Sequence, residues 1–151
     1  METPISDISA NNYAEVSFSG NSMVTSASGA FKKAMVENAA FQITMFGFSF
    51  SDHKLIYEGP DKNFMANILA LVCHADSLEE REIRITVFKN GIPINENYGK
   101  VNSTGNSLYK AVSFSFETSL STGDYLEVMV CNPSGTEGII VKNSKLTIIC
   151  K

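Results

Sequence analysis

The side chains able to do chemistry are few and scattered. His53 and His74 are the only histidines, one in Asp52-His53 at an expected turn and one in His74-Ala-Asp76 at the end of an apolar run. Histidine ligates metals and moves protons near neutrality, but neither has a third ligand at a metal-site spacing, so edge or loop positions are expected. Cys73, Cys131 and Cys150 each close an apolar stretch (Leu-Val-Cys, Met-Val-Cys, Ile-Ile-Cys) and form no Cys-x-x-Cys pair. They are expected to be buried apolar filler in strands, in a protein folded in a reducing compartment such as a cytoplasm. The acidic group Asp76-Ser-Leu-Glu-Glu-Arg-Glu82 offers carboxylates for calcium but lacks the spacing of a calcium loop, so a solvated connection is expected. Asn102-Ser-Thr104 is a glycosylation sequon. There is no Gly-x-Ser-x-Gly elbow and no glycine-rich phosphate loop. The expectation is a non-enzymatic protein with no metal and no cofactor.

The elements that carry these residues follow from composition and periodicity. The chain has 151 residues, 44% of them hydrophobic, and suits one globular domain. Sixteen acidic against twelve basic side chains leave a net charge of −4, which argues against nucleic acid and anionic membranes as partners. The longest mostly apolar run, 64–75, falls well short of the ~20 residues a membrane helix needs. The opening Met1-Glu-Thr-Pro-Ile-Ser-Asp has neither a basic start nor an apolar core, so no signal peptide is expected.

Residues 1–12 are polar and aperiodic and are expected to form a flexible arm before a single domain over 13–151. From Tyr13 onward the signal is alternation: Ser17-Phe-Ser19, Phe46-Gly-Phe-Ser-Phe-Ser51 and Ser113-Phe-Ser-Phe116 place phenylalanine on one strand face and small residues on the other. Asn90-Gly91, Gly59-Pro60, Gly123-Asp124 and Asn132-Pro133 punctuate these runs. Strands are expected at 13–19, 41–51, 54–58, 63–74, 81–89, 92–94, 109–118, 124–131 and 138–150, with a short helix possible over 30–40. No long helix recurs between strands, so the class is all-β, a two-sheet antiparallel sandwich of about eight to ten strands.

Two strands are apolar on both faces. In Phe64–Cys73, Phe64, Ala66, Ile68, Ala70 and Val72 alternate with Met65, Asn67, Leu69, Leu71 and Cys73. Tyr125–Cys131 behaves alike, interrupted by Glu127. A two-sheet sandwich covers one face of each sheet, so the second apolar face points to an oligomer.

Taken in order, three segments resemble the jelly-roll heads of the tumour-necrosis-factor and complement type and their relatives in phage fibre and capsid-decoration proteins. They are Lys54-Leu-Ile-Tyr-Glu-Gly-Pro60 with the apolar strand from Phe64, Ile85-Thr-Val-Phe-Lys-Asn-Gly-Ile-Pro-Ile94, and Leu120-Ser-Thr-Gly-Asp-Tyr-Leu-Glu-Val128, where Leu126 replaces a valine. A last strand over Lys145–Cys150 completes the pattern. Phe64-Met-Ala-Asn67 departs from the complement-type Gly-x-Tyr-x-Phe signature. The resemblance implies a homotrimer of jelly rolls, with Tyr57, Phe64, Met65, Leu69, Leu71, Tyr125 and Met129 as interface candidates. The leading functional expectation is a virion structural protein, a phage capsid-decoration or fibre-head module assembled in the host cytoplasm. Its arm, through Thr3, Pro4, Ile5 and Ile8, would bind the capsid or fibre protein. The alternative is a receptor- or carbohydrate-binding trimeric head, with loops at 95–107 and 132–138 and with Tyr98 and Tyr109 as stacking platforms for a glycan.

Overall fold

The computed structural model describes residues 12–24, 30–34, 40–75, 79–104, 109–135 and 138–151. Its strands are β1 (Tyr13–Val24), β2 (Lys32–Lys33), β3 (Ala40–Phe46), β4 (Phe48–Ser51), β5 (Lys54–Tyr57), β6 (Lys62–His74), β7 (Arg81–Lys89), β8 (Ile92–Pro93), β9 (Gly99–Ser103), β10 (Lys110–Leu120), β11 (Tyr125–Cys131) and β12 (Ile139–Cys150). They form two sheets. Sheet A has the order β10-β6-β12-β1-β3; sheet B has the order β4-β5-β11-β7-β8, with β2 beside β11 and β9 beside β7. Every pairing is antiparallel. The class is all-β, a two-sheet jelly-roll sandwich.

The core lies between the sheets and follows the period of two. Phe64, Ala66, Ile68, Ala70 and Val72 of β6 and Val112, Phe114 and Phe116 of β10 point inward from sheet A, and Ile83, Ile85, Val87, Leu126, Val128 and Val130 meet them from sheet B. Phe48, Tyr57 and Phe64 form an aromatic triangle at one end, with ring centroids 5.1–5.6 Å apart. Tyr57 and Phe64, expected at a subunit interface, are fully buried in this core. Phe64 shares the inward face of β6 with Ala66 and Ile68, and Tyr57 meets its ring from sheet B, so no neighbouring copy reaches either.

Several boundaries differ from expectation, each for a local reason. The run over 41–51 is two strands, because Gly47 turns at φ +83°. A side chain at Gly47 would meet the Asn12 amide at 2.6 Å. Asn12 is buried, donates to the Tyr57 hydroxyl at 3.0 Å and accepts from the Cys150 backbone N–H at 3.1 Å. The expected arm therefore gives way to fixed structure at its last residue; Thr3, Pro4, Ile5 and Ile8 lie outside the described residues. In the stretch expected to be helical, the described part is β2, seated along β11 by Ala34 N–H donating to Val128 O at 2.9 Å.

The two turn motifs of sheet B meet in space. Asn90 and Gly91 take positive φ (52° and 82°), as a two-residue hairpin turn requires. The Asn90 side-chain amide donates to Asp124 Oδ1 at 2.9 Å, and its carbonyl accepts from Tyr125 N–H at 3.0 Å. Asp124 Oδ2 accepts from Ser121 N–H at 2.9 Å, with Lys89 Nζ 3.7 Å away. The Ser121 N–H, the Asn90 amide and Lys89 hold the Asp124 carboxyl below its usual range against the opposing effect of burial.

Candidate interaction face

The residues singled out for chemistry do not converge. His53, at positive φ, sits at the β4–β5 hairpin tip in sheet B. His74 ends β6 in sheet A, where it is buried with Nε2 3.3 Å from the Arg81 carbonyl. Glu79, Glu80 and Glu82 pair with Arg81, Lys110 and Arg84 respectively; residues 76–78 lie outside the described residues. Among the described residues no group of three His, Cys, Asp or Glu side chains is placed to hold a metal. Cys73 and Cys131 are buried within strands, and burial raises the Cys131 thiol above its ordinary pKa.

What the fold builds instead is an apolar face. The register of sheet A lines up Phe46, Tyr13, Ile149, Met65 and Glu117 as one row across five strands. In an antiparallel pair directly opposed residues share a face, and this row points away from the core. Its members remain 43% (Phe46), 38% (Tyr13), 51% (Ile149) and 48% (Met65) exposed, and Leu69, two rows on, is 45% exposed. A hollow of about 550 Å3 opens beside Met65 and Ile149, walled by Phe116, Ser115 and Thr147.

The polar groups around the row are paired with one another. Glu117 meets Lys151 Nζ at 3.0 Å and Glu15 meets Lys145 Nζ at 3.3 Å. The Ser115 hydroxyl donates to Asn67 Oδ1 at 2.8 Å. The far end of the same face is closed: Cys73 is buried, and Tyr109 stands beside it under Lys142 Nζ, 5.1 Å from the ring centroid. Burial first, then the neighbouring Cys73, pushes the Tyr109 phenol up.

The second two-faced strand is covered differently. On the outer face of β11, Glu127 is buried and paired with Lys33 Nζ at 3.0 Å, while Phe31 lies against Phe88 with centroids 5.8 Å apart. Hydrogen bonding to Glu127 raises the Lys33 pKa. Residues 31–34 thus strap that face from within the chain. Met129 is buried there, and Tyr125 is half-buried beneath Lys54 Nζ, 4.6 Å from its ring. Neither shares a face with Met65, Leu69 and Leu71. Of the seven interface candidates only those three lie on the open face, Leu71 half-buried. Tyr13, Phe46 and Ile149 complete it. Alternation in Phe46-Gly-Phe and Ile148-Ile-Cys marks two of these, but the row that joins them exists only once the strands pair.

The glycan platforms are partly occupied too: the Arg84 guanidinium sits 4.4 Å over the Tyr98 ring, as Lys142 sits over Tyr109.

This architecture matches solved structures over nearly its whole length. Crystallised murine APRIL at pH 5.0 superposes with a TM-score of 0.58 at 9% identity, covering 92% of this chain and 99% of that one. Murine APRIL at pH 8.5 gives 0.58 at 10% identity, with the same coverage. Eiger TNF from S. frugiperda gives 0.56 at 11% identity, covering 93% of each. The fold is a tumour-necrosis-factor-like jelly roll. No protein-family model and no curated protein matches the chain, so the likeness of this jelly roll to those structures is one of fold.

Proposed function

We propose that the chain is a non-enzymatic structural module that assembles as a homotrimer through the outer face of sheet A. The apolar row Phe46–Tyr13–Ile149–Met65 carries this reading. Burying a large apolar side chain fully is worth about 1.5–3 kcal/mol, so four half-exposed ones leave several kcal/mol to be gained by contact. The charges beside the row are already neutralised in pairs, so association strands none of them. The number three rests on the tumour-necrosis-factor-like fold. The finer reading is a virion protein, a phage capsid-decoration or fibre-head module assembled in host cytoplasm. The order and spacing of the turn motifs along the chain support it. In that reading residues 1–11 contact the capsid or fibre protein, and the fixed Asn12 starts them beside the apolar row.

Light scattering of the purified protein tests the assembly. Three chains of 16.5 kDa per particle are expected, with Met65→Glu reducing the particle to one folded chain. A monomeric wild type overturns the proposal, and a trimer that survives Met65→Glu overturns the choice of face.

A further inference from the structure

Asn90-Gly91 is the dipeptide most prone to deamidation, because glycine leaves its backbone nitrogen open to attack the asparagine amide. In that reaction Gly91 N bonds to Asn90 Cγ, the Cγ–Nδ2 bond breaks and ammonia leaves. Water then opens the succinimide to aspartate or its β-linked isomer. The turn is exposed, yet the Asn90 side chain is engaged at both ends, Nδ2 donating to Asp124 Oδ1 at 2.9 Å and Oδ1 accepting from Tyr125 N–H at 3.0 Å. A third bond, Asn90 N–H to Tyr125 O at 3.0 Å, fixes the backbone. Swinging Cγ onto Gly91 N breaks both side-chain bonds.

We infer that Asn90 is a modification site gated by the Asp124 clamp: shielded while the turns are joined, it converts on opening to a carboxylate that repels Asp124 and keeps the turns apart. The product places an oxygen where Nδ2 donated, and two carboxylates at that distance do not both ionise readily. The other charged or titratable groups at the site are Lys89, 3.7 Å from Asp124, Lys54 over the Tyr125 ring, and the Tyr125 phenol near Gly91. Lys89 already serves Asp124 and also donates to Ser119 O at 2.7 Å, so it leaves the second negative charge without a partner of its own. The inference is independent of the assembly proposed above.

Peptide mass spectrometry of wild-type protein aged in buffer and in urea gives the first measurement. Loss of the Asn90 amide is expected to be at least about tenfold slower in the folded chain, the factor one charge-assisted hydrogen bond represents. Equal rates overturn the gate. The second compares Asn90→Asp with Asn90→Gly, which lacks the clamp but adds no charge. Both are expected to melt below wild type at pH 8. At pH 5 only Asn90→Asp is expected to recover part of its deficit, because one carboxyl of the repelling pair takes up a proton above the usual carboxylate range. An Asn90→Asp deficit that stays constant from pH 8 to pH 5, as for Asn90→Gly, overturns the repulsion.

Discussion

Asp124 shows how much one side chain can organise. Its two oxygens receive the Ser121 N–H and the Asn90 amide, closing its own turn with one and the β7–β8 turn with the other. Asp124→Ala removes both acceptors and leaves the Asn90 amide without this partner. The expected loss is about 1–3 kcal/mol at pH 7, in line with hydrogen bonds to a charged group. Because the folded-state pKa is depressed, this contribution is fully present above the unfolded carboxyl pKa of about 3.9 and is lost as pH falls through the lower folded value. Urea titrations should show a constant gap between wild type and Asp124→Ala from pH 5 to 8, narrowing only below pH 4; a gap that closes near pH 6 would point to another group. Both turns are legible in the residues, since Asn-Gly and Gly-Asp are turn chemistry. That they clamp each other is not, because no local pattern links positions so far apart in the chain. The same limit explains Tyr57 and Phe64: an aromatic beside a turn looks the same in sequence whether its ring packs inward or outward.

At the scale of elements, the period of two carried most of the fold. β6 and β10 alternate closely between buried and exposed positions, with Phe64, Ala66, Ile68, Ala70 and Val72 of β6 in the core, whereas β11 is buried on both faces. Short pieces without a period escaped it. β9, Gly-Lys-Val-Asn-Ser, has no apolar alternation and is held by close approach: a side chain at Gly99 would collide with the Ser113 carbonyl oxygen. There β9 of sheet B passes against β10 of sheet A, so the contact ties the two layers at their edge. Gly99→Ala is expected to lower stability by about 2–3 kcal/mol through this overlap with rigid backbone. Gly123→Ala provides the contrast, since nothing lies within 4 Å of its added carbon and only the positive φ of 93° is penalised, about 1–2 kcal/mol. Equal effects in chemical denaturation would mean that β9 and β10 yield to the added carbon. The strap at 31–34 was hidden for a related reason. Two lysines and an alanine read locally as helix, and only the pairing of Lys33 with the buried Glu127 shows why they lie along β11.

The whole molecule divides the two-faced strands by what covers them. Sheet B closes its outer face over β11 with its own chain, while sheet A leaves one row of large apolar side chains in water at the end where Asn12 enters. The inference from double-sided hydrophobicity to an open flank therefore holds for one sheet and fails for the other. Because the core between the sheets is complete within one chain, assembly should add to the stability of the subunit rather than create it. Mass action then gives a signature that needs no image of the complex. If the native state is a trimer and the unfolded state a single chain, raising the concentration about a hundredfold should raise the melting temperature by about 4–7 °C for a domain of this length. Met65→Glu, which places a charge in the apolar row at a half-exposed position, should melt cooperatively at a temperature independent of concentration and equal to the limit wild type approaches on dilution. Calorimetry over that concentration range reads both. A wild-type melting temperature that does not move with concentration would leave the row without the partner assigned to it, and a Met65→Glu chain that cannot fold would make the partner part of the core.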